Sequence, residues 1–437
     1  MQDTLSMCRY DLNTVEGHNM TNLFSEKQEN VDALLNTLNL KQKCWVVDGK
    51  NYNVIRYDKQ FLSKDRVETV GMFRSVVHHN GKVVSFAPPK TMDYDTFMSR
   101  LDSSKPVKVE DYIEGTMINM FYNGETWEIA TRSSVGGRVA FFTMDGKPQS
   151  ATENTFRWMF LDAVQHREMM CEGQGENEDP NRDLFECLDN FPKNYMFSFV
   201  LQHPKNRIVV PFTTPQVFLV KVYEITDNVV TEVEINTDIS SKLPSWLLYP
   251  MNLANNLVAM SSYLSNGDAD YKIVGTMITG FDSNGVPMRT KHRNVTYEDV
   301  RKLRGNQPKL QYRYLMLRQG QKVKDYLHFY PEHKTLFSDY RDMVHKFTHE
   351  LHGKYISCYV KKEGPLGGYS PQYRTHMYKL HELYTGTLSK ENKIVTRNVV
   401  VSYVNQLHPS LLMHSINYHH RHAKEEMEIA QECDEEM

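Results

Sequence analysis

The chain has 437 residues, a formal net charge of −3, 24% charged residues and 40% hydrophobic ones. That length predicts two or three domains and a core large enough to need no crosslinks. The near-neutral balance excludes a generally basic nucleic-acid binder, although a local basic cleft can hide within the sum.

Cys8, Cys44, Cys171, Cys187, Cys358 and Cys433 are scattered, with no CxxC pair and no zinc-finger spacing. They read as reduced thiols of an intracellular protein. No apolar run is long enough to span a bilayer, and the N-terminus lacks the basic-then-apolar order of a secretion signal. The expected location is therefore cytoplasmic, in a cell or a virus-infected cell, with no membrane partner.

In chain order, residues 1–25 are polar and Asn-rich and read as an irregular lead-in. From about 40 to 300 the chain looks mainly β. Asn80-Gly81, Asn123-Gly124 and Asn284-Gly285 each separate β-type runs, and Asn-Gly tolerates the positive φ of a tight hairpin turn. Asp145-Gly146 is a weaker fourth signal. A helix is predicted over 153–170, followed by an acidic, turn-rich surface loop at 172–183.

YMFSFVLQ, NRIVVPF and QVFLVKVYEI then read as strands. After about 296 the pattern becomes helical. Leu336, Tyr340, Met343, Phe347 and Leu351 recur at helix spacing, with Pro331 near the start and Gly353 expected just past the end. RNVVVSYVNQL predicts another helix ending before Pro409, and the acidic tail AKEEMEIAQECDEEM a frayed one. The expected organisation is a lead-in (1–25), a β-rich domain (26–300) and an α-helical domain (301–437).

Four segments in order resemble the T-even phage RNA ligase family. GMFRSVVHHNGKVVSFAPPK is similar to that family's RG-to-PFPKF segment. VEDYIEGTMINMFYNGETWEIATRSS resembles its KxDGS nucleophile hairpin with the following ATRGS. YMFSFVLQHPKNRIVVPF resembles F-x-F-E-x-x-x-P-x-N-R-I-V, and IVGTMITGFDSNGVPMRTKHRNVTYEDVRKLRG resembles the EG and K-x-K motifs with their exit. The resemblance spans roughly 240 residues. It implies an α+β fold: an antiparallel-sheet nucleotidyltransferase core followed by an all-helical C-terminal domain.

The chemistry that the resemblance implies needs a lysine amine to attack the α-phosphate of ATP, carboxylates to hold a metal and the ribose, and cations to neutralise phosphate charge. Tyr112 stands where the lysine is expected, and Lys108 lies too far along the strand to substitute. Tyrosine can act as a nucleophile, so a tyrosyl-AMP is one reading; the plainer one is a ring that fills the pocket floor. Val200 and Val274 replace the two motif glutamates, and a valine side chain offers no oxygen to a hard cation.

No catalytic residue and no metal site are therefore expected, and Mg²⁺ is not called for. The cations persist. Arg74, Lys90, Arg132, Arg207, Arg289 and Lys291, with Glu114 in the acidic place beside the motif glycine, form the expected nucleotide- or phosphate-binding set. The leading expectation is a catalytically inactive ligase homologue binding RNA or a nucleotide such as ATP through a basic cleft. Two alternatives are a structural or assembly protein of a large DNA virus, placed in a complex or virion with protein partners, and an active ligase with a displaced nucleophile.

Elsewhere, His419, His420 and His422 read as a solvated helix end. His349 and His352 fall short of HExxH. Tyr312, Tyr314, Tyr326 and Tyr330 among Lys and Arg read first as half-buried helix aromatics and second as a base-stacking surface.

Overall fold

The computed structural model describes residues 8–24, 31–139, 155–172, 188–253, 256–307 and 309–419. Asp145-Gly146, all but the first residue of the 172–183 loop, Cys187, His420, His422 and the acidic tail lie outside the described residues. Two compact units meet in sequence between Arg301 and Lys302.

The first unit is built from antiparallel strands. The segment read as an irregular lead-in carries β1 (Arg9–Asp11), β2 (Thr14–Val15), β3 (His18–Asn19) and the short helix α1 (Thr21–Phe24). It is structured because its apolar residues are deeply buried: Leu12, Val15, Met20, Leu23 and Phe24 all join the core. Then follow α2 (Val31–Leu38), β4 (Leu40–Val47), β5 (Lys50–Tyr57), β6 (Val76–His79), β7 (Lys82–Phe86), α3 (Tyr94–Arg100), β8 (Lys108–Asp111), β9 (Thr116–Tyr122) and β10 (Trp127–Ala130).

Next come α4 (Phe156–Glu172), β11 (Met196–Gln202), β12 (Gln216–Thr226), β13 (Val229–Val233), α5 (Thr237–Ser240), α6 (Leu257–Ser265), β14 (Gly275–Phe281), β15 (Pro287–Arg293) and α7 (Val295–Arg304). The fold class is α+β, as the sequence predicts.

The turns follow their chemistry. Asn80-Gly81 closes β6 to β7 with both residues at positive φ. The other two Asn-Gly pairs sit in longer loops: Asn123 Oδ1 accepts from the backbone N–H of Glu125 and Thr126, and Asp282 Oδ1 from those of Asn284 and Val286. Asp48-Gly49 between β4 and β5 and Asp227-Asn228 between β12 and β13 are further two-residue turns at positive φ.

Three sheets position the rest. A six-stranded sheet has the order β1-β13-β12-β11-β9-β10, a four-stranded one β4-β5-β6-β7, and a three-stranded one β15-β14-β8. One face of the six-stranded sheet buries Ile118, Phe197, Phe199 and Leu219 against Phe160 and Val164 of α4. On its other face, Phe121, Met196 and Tyr223 share a core with Tyr52 and Phe86 of the four-stranded sheet. The three-stranded sheet buries Val109, Ile278 and Met288 on its back, with Met92 and with Phe97 of α3. Strand alternation therefore turns the other face of that sheet away from this core.

The second unit is helical: α8 (Leu310–Gln319), α9 (Val323–Phe329), α10 (Lys334–Tyr355), α11 (Pro371–Leu383), α12 (Arg397–Gln406) and α13 (Pro409–Ile416). Helix α10 touches α8, α11, α12 and α13. It does not stop before Gly353 but runs through it into a π-helical turn, Ile356–Val360. A mid-helix glycine costs only about 1 kcal/mol, less than burying Tyr355 and Cys358 beyond it returns. Tyr314, Tyr326 and Tyr330 are buried, with Tyr326 stacked on Tyr330 at 4.5 Å and bonded by Arg313. They are core aromatics rather than a stacking surface. Among the described residues no helix is long and apolar enough to cross a membrane.

His376 is buried between Tyr403 Oη (2.9 Å) and Ser415 Oγ (2.8 Å). Ser415 already donates to the Leu411 carbonyl, so its oxygen accepts from His376. Burial pushes the imidazole down to about 4. A depressed histidine contributes stability that is complete above its ordinary value near 6.5 and is lost as pH falls toward 4. Thermal melts should lose up to about 1.4 kcal/mol per pH unit from this group across that window, and His376→Gln should flatten that slope; an unchanged slope removes the assignment.

Candidate functional site

The front face of the three-stranded sheet carries the chemistry. Glu110 pairs with Met277 and Lys108 with Thr279, while β14 pairs Gly275 with Arg293, Met277 with Lys291 and Thr279 with Arg289. Residues 108, 110 and 112 of one strand and 289, 291 and 293 of another therefore share a face. Tyr112 extends β8 by one more pairing, its N–H donating to the Gly275 carbonyl at 3.1 Å.

Tyr112 is half-buried and surrounded by cations. Arg293 donates to its phenol oxygen at 3.1 Å, and the Arg293 guanidinium and Lys291 Nζ lie 5.4 and 5.7 Å from its ring centroid. Burial alone would push the phenol up. The charges of Lys291 and Arg293, the Arg293 hydrogen bond and the charge of Arg74 outweigh it and hold the group below its usual value of 10.

The cations also act on one another. Burial, then the charges of Arg293, Lys90 and Arg74, lower Lys291, with Tyr112 opposing. Burial and Arg74 lower Lys90. Burial, followed by Arg289 and Arg132, lowers Arg74. Lys59, which sequence reasoning missed, is lowered by burial and then by Arg132 and Arg74. Arg132 lies 5.2 Å from the Tyr57 ring, and two of its shielded guanidinium nitrogens have no hydrogen-bond partner among the described residues. Among those residues the one carboxylate at ion-pair distance from this group is Glu298, which Arg293 shares with Arg301. The carbonyls of Pro89 and Thr91 satisfy part of Arg289 and Lys90.

Five of the six predicted cations, Arg74, Lys90, Arg132, Arg289 and Lys291, are thus linked in one electrostatic group, with Arg293 and Lys59 added. Arg293 was legible as the third member of the R-x-K-x-R alternation; Lys59, in a loop, carried no pattern. Arg207 belongs to the adjoining loop, where its guanidinium donates to the Val209 carbonyl.

Glu114 has a different role from the one its motif place suggests. Its carboxylate is buried and accepts from the backbone N–H of Val209 and Val210 at 3.0 Å each. It anchors that loop to the Tyr112 turn and is not presented to a ligand by these contacts.

The Tyr112 turn touches both valine positions. Gly115 has φ +155°, and a Cβ there would lie 2.3 Å from the Leu201 carbonyl oxygen and 2.7 Å from Val200 Cγ1. Val274 is buried and precedes Gly275, where φ is +139° and a Cβ would meet the His292 oxygen at 2.1 Å. These glycines let the two strand ends close on the turn. Among the described residues no group of three His, Cys, Asp or Glu is placed to hold a metal. A lysine amine does stand beside Tyr112, that of Lys291, and among the described residues no carboxylate pair accompanies it.

Next to the cation group lies a cavity of about 660 Å³, lined by Lys108, Glu110, Thr279, Leu219, Lys221 and Glu232 among others. Both of its lysines are ion-paired, Lys108 with Glu110 at 2.7 Å and Lys221 with Glu232, and Glu234 adds one further carboxylate. The same face therefore presents a hollow without surplus positive charge and, about two residues or 7 Å further along β8, an unbalanced cluster of positive charge.

No family model matches the sequence, and no curated protein does. Among solved structures, the chain is similar to a protein from Aquifex aeolicus named as an ATP-dependent DNA ligase (10% identity, 83% of this chain and 81% of that one, TM-score 0.37). It is also similar to an archaeal ATP-dependent RNA ligase (11% identity, 68% of each chain, TM-score 0.38). Similarity at that level transfers no residue role and no activity.

Two outcomes test this geometry. Gly115→Ala should destabilise the first unit by about 2–4 kcal/mol in urea unfolding, because the clash is with backbone; a neutral effect would refute the close approach. Ultraviolet titration should find one phenol ionising below the usual tyrosine range, lost in Tyr112→Phe.

Proposed function

We propose that this cleft binds the phosphates of a nucleotide or of RNA, as a nucleotidyltransferase-type ligase homologue that no longer forms a lysyl-nucleotide at position 112. One observation carries the reading: Arg74, Lys90, Lys291 and Arg293 act on Tyr112, Arg132, Arg289 and Lys59 join them through Arg74, and Glu298 is their one ion-paired carboxylate among the described residues. Phosphate is the ligand class that such a group suits, because guanidinium and ammonium donors make charge-assisted bonds to its oxygens. The neighbouring cavity favours a nucleotide, since both of its lysines are ion-paired and it offers room for an uncharged body such as a base.

Tyr112 replaces the amine that lysyl transfer requires, and Glu114, the nearest motif acid, is spent on Val209 and Val210. Charge neutralisation by side chains takes the place of a metal.

Calorimetry with ATP, and fluorescence polarisation with a labelled single-stranded RNA, test the proposal. Binding should persist in EDTA and weaken as salt rises. The double variant Arg74→Ala, Lys291→Ala should weaken it about 10–100-fold, or roughly 1.4–2.8 kcal/mol. Binding that requires Mg²⁺, or that ignores both substitutions, would sink it.

A further inference from the structure

The least expected feature of the cleft is the state of Tyr112. A tyrosine that merely filled space would turn its hydroxyl to solvent or to a neutral partner. Here the oxygen accepts a hydrogen bond from a guanidinium that is itself tied to Glu298, and the ring lies beside Lys291. The oxygen is thus held as an acceptor by Arg293. The surrounding charges favour the ionised phenol. The groups that would draw a phosphate into the cleft, Lys291, Arg74 and Lys90, are the ones whose charges reach this oxygen.

We propose that the Tyr112 phenol oxygen is a nucleophile toward the α-phosphorus of a nucleoside triphosphate, so that the chain nucleotidylates itself on Tyr112. This rests on the reading that nucleotide binds in the cleft, and adds to it a covalent step. The phenol proton leaves to solvent before attack. The phenolate oxygen forms a bond to the α-phosphorus, and the bond from that phosphorus to the oxygen bridging to the β-phosphate breaks. Pyrophosphate departs with the bonding pair, leaving an O-linked nucleotidyl-tyrosine. No oxidant or reductant enters. Lys291 and Lys90 neutralise charge on the phosphoryl oxygens, and Arg293 holds the attacking oxygen.

The full chain is incubated with α-labelled ATP and α-labelled GTP, with EDTA in one arm and Mg²⁺ in the other, and resolved on a denaturing gel. A labelled band is expected that survives mild acid, because an aryl phosphodiester resists acid where a lysyl phosphoramidate is hydrolysed. Tyr112→Phe should lose the label yet keep ATP binding measured by calorimetry. Peptide mapping of the labelled chain by mass spectrometry should place the nucleotidyl group on the peptide that carries Tyr112.

An acid-labile band that persists in Tyr112→Phe, or a label that maps to a lysine peptide, would overturn the proposal and make a lysine the carrier. No band in either arm, with ATP binding intact, would overturn it while leaving the binding reading in place. No band and no binding of ATP or RNA would remove both.

Discussion

Like charges crowded on one face of a sheet are costly, and the rest of the site follows from how that cost is met. Two unit charges about 6 Å apart repel by roughly 3 kcal/mol at an effective dielectric of about 20. Arg74, Lys90, Lys291 and Arg293 act on one another around a single phenol, and Glu298 is the one carboxylate in ion-pair contact with the group among the described residues. Whole-protein stability is only about 5–15 kcal/mol, so an arrangement of this kind is a substantial burden on the fold. A ligand anion relieves it, and the relief is felt as stabilisation of the folded state by mass action. Burial, and after it the neighbouring cations, depress Lys291 and Lys90, and the same cations lower the Tyr112 phenol against its own burial.

What keeps the strands together despite this repulsion is local. Gly115 and Gly275 let the ends of β9 and β14 approach the Leu201 and His292 carbonyls more closely than a side chain would allow. The Glu114 carboxylate ties two backbone N–H groups of the 207–210 loop to the same turn. The cavity further along the face needs no such restraint, because both of its lysines are ion-paired. One sheet therefore holds two electrostatic regimes a few residues apart, and a molecule with an uncharged body and a charged tail matches both.

Much of this was legible in the sequence, for identifiable reasons. Period-two alternation through β8 and β15 places residues 108, 110 and 112 and residues 289 and 291 on shared faces, and Asn80-Gly81 states its own turn. The two other Asn-Gly pairs pointed to real hairpins but not to their loop lengths, which Asn123 and Asp282 set through their side chains. The lead-in misread as irregular has polar composition with few apolar residues, yet those few are the ones buried. Gly353 suggested a helix end because local propensity favours one, and tertiary burial of Tyr355 overrode it. Lys59 joins the cation group only through the path of its loop, which no local pattern encodes. The use of Glu114 as a backbone anchor was equally hidden, because a motif position says where a carboxylate sits and not which donors reach it first.

The valines at 200 and 274 then acquire a physical meaning beyond the loss of two acids. Val200 presses on Gly115 and Val274 is buried at the foot of β14, so both add apolar bulk beside the Tyr112 turn. Apolar bulk lowers the local dielectric, and a lower dielectric makes each neighbouring charge act more strongly. Valine leaves the field of those charges intact and drier. Beside that bulk, the pull of Lys291, Arg293 and Arg74 falls on the Tyr112 phenol oxygen.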